Sequence, residues 1–231
     1  MFGKKKEQSV ETNGIVYRRA KTWRVALAGC SSGIGMCFYV LLGLASYVAN
    51  EGYGIATAVV GIILTATRIL DGVTDPIIAI IIDKMNTRFG KIRILMVAGW
   101  LIESLAVLIM YCWASGKGHG IVLFVLLYCL YVIGYTMCNV TAQIVPAMLT
   151  NDPKQRPLFT IFNTVGSLLG MGVMQFLAPI LAKSYEGGYS SAGFFRTLAP
   201  VGIAMSVVLT ILAIIGIWEK DQPKYFGIGG E

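Results

Sequence analysis

The sequence predicts an all-α membrane protein of six transmembrane helices, and three observations carry that prediction. Hydrophobic residues make up 56% of the 231-residue chain and charged residues only 13%, a balance that suits a lipid solvent. Six mostly apolar stretches, residues 23–49, 55–82, 94–114, 121–148, 158–182 and 194–218, each reach the about 20 residues needed to cross a bilayer. Basic residues gather on alternate connections. The segments between spans are short and polar, with no room for a soluble domain, and the first span is too long and too late to be a cleaved signal peptide. The chain therefore divides into a basic amino-terminal segment (1–22), a six-helix membrane unit (23–218) and a polar tail (219–231).

The amino-terminal segment holds Lys4, Lys5, Lys6, Arg18, Arg19 and Lys21, with Arg24 just inside the first span. The second connection adds Lys84, Arg88, Lys91 and Arg93, the fourth Lys154 and Arg156, and the tail Lys220 and Lys224. On the other side stand only Lys117, Lys183 and Arg196. By the positive-inside rule both termini are cytoplasmic in a multi-pass protein of the cell membrane. The net charge of +7 is thus a topology signal and does not call for nucleic acid; Lys4 to Lys6 could also touch anionic lipid.

Gly29 and Gly33 in the first span, and Gly166 and Gly170 in the fifth, are small residues four apart, the spacing that lets helix backbones approach in lipid. The second span carries Arg68, Asp71 and Asp75 at intervals of three and four. At about 100° per residue they fall within roughly 60° of one face. A charge facing lipid costs about 2.5–3.5 kcal/mol on insertion scales, so this stripe faces protein or a watered cavity. Arg68 with Asp71 makes a structural ion pair, which leaves Asp75 without a partner. Pro76 removes the N–H that would bond the Gly72 carbonyl, adding an acceptor to the patch. Glu103 in the third span either faces a cavity or snorkels.

Cys30, Cys37, Cys112, Cys129 and Cys138 lie in apolar spans without a CxxC pair, as small packing residues do. His119 sits in a short glycine-rich loop with no carboxylate near it in sequence, so neither a zinc site nor a Ser/His/Asp arrangement is supported. Pro153 and Pro157 suit the start of the fifth helix. Pro146, Pro179 and Pro200 fall within or near span ends, where proline invites a kink.

The run Asp71-Gly-Val-Thr-Asp75-Pro76, then Asp83, then Thr87-Arg88-Phe89-Gly90-Lys91, closely resembles the signature of the glycoside–pentoside–hexuronide:cation symporters, the melibiose-carrier group of the major facilitator superfamily. The resemblance implies one half, the amino-terminal one, of a twelve-helix fold, built as an inverted pair of three-helix repeats with sites near the midplane between halves. It implies a cation site at Asp71, Thr74, Asp75 and Thr136. Those oxygens suit Na⁺, while the paired carboxylates equally suit H⁺.

The family's sugar site is less well matched. Its helix-one aspartate falls near Gly35, its helix-four aspartate at Asn139, a tryptophan at Gln143 and a helix-five arginine near Thr160, while Tyr135 keeps its type. Tyr135, Asn139 and Gln143 are the solute candidates, although Asn139 and Gln143 would serve equally as interhelical hydrogen bonders. In the superfamily's gate an acidic helix end pairs with basic loop residues; Asp83, Arg88 and Lys91 hold those places, with topology charge as the plain alternative.

These readings converge on a transporter without enzymatic chemistry: a symporter of a small hydrophilic solute, a glycoside or related sugar, driven by Na⁺ or H⁺ and needing no other cofactor. Its partners are the solute, the bilayer, and a carboxy-terminal half or a second copy. An uncoupled or lysolipid carrier of the same fold, and a membrane sensor or scaffold, are the alternatives.

Overall fold

The computed structural model describes residues 9–12, 15–85, 87, 89–117 and 119–222. Among them six helices are long and apolar enough to cross a membrane: α1 (Thr22–Gly43), α2 (Thr57–Lys84), α3 (Ile92–Trp113), α4 (Gly120–Leu149), α5 (Pro153–Ala182) and α6 (Ala192–Ile217). Contacts at the helix ends order them. Arg24 at the start of α1 pairs with Glu219 just beyond α6, whereas Gly116 after α3 donates its N–H to the Gly52 carbonyl after α1 at 2.8 Å. The two described termini thus share one end of the bundle. Ile69 and Phe176, 74% and 76% exposed, belong to an apolar outer surface that needs a non-aqueous cover.

The first span ends earlier than its apolar run. Helical turns continue past Gly43 as a short segment, Ala45–Tyr47, and a wider turn, Val48–Gly52; α1 already meets the length a bilayer requires. Proline lies inside α2, α4, α5 and α6 at Pro76, Pro146, Pro179 and Pro200. Before the spans stands an element the all-α reading omitted: β1 (Ser9–Thr12) pairs antiparallel with β2 (Ile15–Arg18), Ser9 opposite Arg18 and Thr12 opposite Ile15. Asn13-Gly14 between two short runs is the sequence signal for such a hairpin.

Packing follows the glycines. α1 lies along α5 and α6, α3 against α4, and α2 chiefly against α4. The two GxxxG pairs meet each other: a methyl built on Gly166 would meet the Gly29 carbonyl carbon at 2.9 Å, and one on Gly170 would meet that of Gly33 at 3.1 Å. No side chain fits between these backbones, which is why small residues occupy the crossing. Gly99 and Gly134 do the same for α3 and α4. Polar side chains then close interhelical gaps, Tyr111 donating to the Leu41 carbonyl at 2.6 Å and Trp100 Nε1 to Ser206 Oγ at 2.9 Å; in hydrocarbon such groups need protein partners.

Candidate cation and solute site

Asp71 is the fifteenth of 28 residues in α2, so it sits near mid-depth. Its Oδ2 accepts from Arg68 at 3.4 Å, and both side chains are partly open. Its Oδ1 is buried without a hydrogen-bond partner. One turn on, the Thr74 hydroxyl reaches the Asp71 carbonyl at 3.3 Å and the Thr136 hydroxyl of α4 at 3.3 Å. Asp75 lies exposed on the same stripe. α2 is the least buried of the six helices, because little besides α4 covers it.

The four residues proposed from sequence for a cation thus fall into two groups. Asp71, Thr74 and Thr136 are linked through hydroxyl and carbonyl contacts; Asp75 stands one turn away on the open side. Their donor set is oxygen only and includes a buried, unsatisfied carboxylate oxygen of Asp71, which fits a hard cation. Among the described residues no three His, Cys, Asp or Glu side chains gather as a metal cluster, so a cation here would depend on neutral oxygens beside the carboxylates.

Tyr135 is half-buried, stacked on Tyr131 with ring centroids 6.2 Å apart and lying close over Gly35. The small residue of α1 leaves room for that ring. Asn139 is half-buried and Gln143 exposed on α4. On α5, Thr160, Asn163, Thr164 and Ser167 line an open cavity of about 340 Å³ with Met36 of α1, and the buried Asn163 Oδ1 has no partner. The i, i+3, i+4, i+7 spacing of those four residues was the sequence signal for this wall.

At the end bearing the termini, Asp83 is exposed and Arg88 lies outside the described residues. The backbone N–H of Lys91 donates to Asp221, a residue that sequence reasoning passed over. Asp221 is wholly buried. Its carboxylate accepts from the N–H groups of Lys91, Ile92 and Arg93 at 3.1, 3.3 and 2.9 Å and from Arg93 Nε at 3.1 Å. It caps α3, where four backbone N–H groups lack helical partners and the dipole favours an anion. Arg93 also lies over the Trp218 ring at 4.4 Å, a cation–π contact. Nearby, Arg19 pairs with Asp152, and the guanidinium, followed by the Lys154 N–H, holds that carboxyl below its usual range. Neither pairing has a local sequence signature, since the partners are 128 and 133 residues apart.

One residue sits otherwise than the sequence suggested: Glu103 neither faces an open cavity nor snorkels but is fully buried between helices. His119, in its loop, stacks on Trp113 at 5.5 Å.

Six membrane helices with an oxygen-lined stripe on the open side of α2 define one bundle of a membrane carrier. The chain belongs to the MFS/sugar transport protein family, whose model matches residues 29–225. That family consists of transporters, not enzymes. The chain is 29% identical over 78% of its length to the lactose permease of Leuconostoc lactis and 26% identical over 75% to the isoprimeverose transporter of Lactiplantibacillus pentosus. It is 24% identical over 77% to YagG of Escherichia coli (strain K12), whose name assigns it provisionally to glycoside/cation symport. The chain spans 29%, 36% and 39% of those relatives, respectively.

Proposed function

We propose that this chain is the amino-terminal six-helix half of a cell-membrane symporter that moves a glycoside or related sugar with Na⁺ or H⁺, both termini being cytoplasmic. The carrying observation is the mid-depth grouping of Asp71, Thr74 and Thr136 at the α2–α4 contact, beside Asp75, which lies on a side of α2 that no described helix covers. The second half would cover it, which agrees with the share of the relatives that the chain matches. In this reading Asp71 and Asp75 supply the cation's charge, and the threonine hydroxyls and the Gly72 carbonyl complete its oxygens. Tyr135 offers a ring face to the sugar, and Asn139 and Gln143 meet its hydroxyls. Asp83, Arg88 and Lys91 belong to the cytoplasmic gate, where exposed pairs worth about 0–1 kcal/mol bias one access state.

Coupling requires the cation to favour the solute-competent state, since a ligand with equal affinity for both states shifts nothing. The test is uptake of lactose, isoprimeverose and simple glycosides by vesicles bearing the carrier with its carboxy-terminal half, under imposed sodium or proton gradients. Accumulation above the external concentration is expected with one of the gradients. Asp75→Asn should abolish that accumulation while downhill exchange persists. Accumulation by the mutant equal to wild type removes Asp75 from the site, and uptake indifferent to both gradients leaves an uncoupled carrier.

A further inference from the structure

Glu103 is the twelfth of the 22 residues of α3, and none of its surface is exposed. Neither carboxyl oxygen has a nitrogen or oxygen hydrogen-bond partner; the Cys138 thiol, a weak donor, lies beside it. The backbone of α4 lies against it, since a methyl on Gly134 would meet the Glu103 nitrogen at 2.7 Å. The titratable groups around it are Cys37 of α1 and Tyr131, Tyr135 and Cys138 of α4, all within electrostatic reach. The Cys138 thiol also reaches the Met96 carbonyl at 3.7 Å, and the Tyr131 hydroxyl is itself buried and unpartnered. α6, which also packs on α3, has no ionisable side chain between Arg196 and Glu219. On α2, Arg68 and Asp71 act on Tyr135.

Among the described residues, then, no cation balances Glu103. An unpaired carboxylate in such surroundings is strongly disfavoured, whereas the neutral acid forgoes only ordinary hydrogen bonding. Tyr135 of α4 is half-buried, stacked on Tyr131, and within electrostatic reach of Glu103 and of Arg68 and Asp71 on α2. Gly99 and Gly134 close the backbones of α3 and α4 on each other beside Glu103, so water does not reach it through that crossing.

We propose that Glu103 is a proton-binding site of the carrier, and that solute resting on Tyr135 and a proton resting on Glu103 favour one another. The step is a simple transfer: an O–H bond forms on one Glu103 oxygen as one breaks in a hydronium ion from the watered face. Solute over Tyr135 excludes the water that ionised Glu103 needs. By reciprocity the proton then strengthens solute binding, so over the alkaline range in which Glu103 ionises, apparent affinity rises as pH falls, by as much as about tenfold per pH unit for one linked proton. The protonation claim is independent of the solute; the linkage rests on the solute site proposed above.

The test uses the carrier with its carboxy-terminal half in lipid, with the proton as probe. Infrared spectra at neutral pH should contain a protonated-carboxyl carbonyl band that shifts in D₂O, disappears in Glu103→Gln and moves in Glu103→Asp. A spectrum without any band sensitive to position 103 overturns the proposal. In uptake assays with the same sugars, the pH dependence of apparent affinity should flatten in Glu103→Gln at its low-pH value. A pH profile unchanged from wild type overturns the linkage. If no sugar is taken up under any gradient, the transport reading falls, while the infrared result still decides whether Glu103 holds a proton.

Discussion

The crossing of α1 on α5 and the crossing of α4 on α2 are counterparts under the three-helix repeat, yet they are made of different material. At the first, Gly29 and Gly33 interlock with Gly166 and Gly170, backbone on backbone, and Ser32 Oγ donates to the Asn163 carbonyl at 2.6 Å. At the second, one hydroxyl pair, Thr74 with Thr136, bridges the helices, and Gly61 and Gly72 of α2 have nothing within 4 Å of where a side chain would begin. A crossing of bare backbones has no slack. A single hydroxyl bridge imposes no such steric lock, and it is there that the ionisable stripe lies. The lesson is that the fold concentrates its steric constraint away from the residues proposed to exchange ions.

The largest effect should come from breaking the tight crossing. Gly166→Leu drives a side chain into the Gly29 backbone and should cost about 3 kcal/mol or more, read as loss of monodisperse carrier after detergent extraction. Gly72→Ala on the open side should be neutral or stabilising by up to about 1 kcal/mol. Equal losses in the two variants would erase the distinction between the crossings.

The loose crossing is sharpened by Thr136→Val, which keeps shape and removes the bridge. Interhelical hydrogen bonds in membranes average about 0.6 kcal/mol, so thermal stability should fall slightly. The cation concentration for half-maximal stimulation of uptake should rise more clearly. Unchanged cation dependence would assign Thr136 to packing alone.

How far these differences were legible depends on the distance over which each signal acts. The spans could be read because a bilayer imposes length and apolarity on contiguous residues. The stripe Arg68, Asp71, Asp75 could be read because helical periodicity is local, and the glycine pairs announced tight crossings without naming their partners. Glu103 stood out as a charge in a span, but its placement depends on α4, which sequence alone does not bring alongside. Asp221 and Asp152 were silent: each is one acidic residue in a polar segment, given meaning by groups more than a hundred residues away.

The smallest effect concerns the anchor of the amino-terminal segment beside α5, which holds the fixed crossing at its terminal end. Ala20 and Gln155 exchange hydrogen bonds there, and Arg19 pairs with Asp152. Arg19 holds the Asp152 carboxyl below its usual range, so the stabilisation is present above the unfolded value of about 3.9. It is lost as pH falls through the lower folded value. Hydrogen exchange at Ala20 and Lys154 should be faster in Asp152→Asn than in wild type at neutral pH, and the two should converge in acid. A difference that persists at the lowest pH would mean that the anchor does not depend on the Asp152 charge.

Asp221 has a mechanical consequence. One carboxylate gathers the first backbone N–H groups of α3 and the side chain of Arg93, and the Asp221 carbonyl takes a second hydrogen bond from that guanidinium at 3.0 Å. The stretch leaving α6 is thereby buckled to the foot of α3, and through the α2–α3 connection to the helix that carries Asp71 and Asp75. Torque applied to the chain beyond residue 222 is delivered to that foot through a rigid clasp instead of being dissipated along a slack strap.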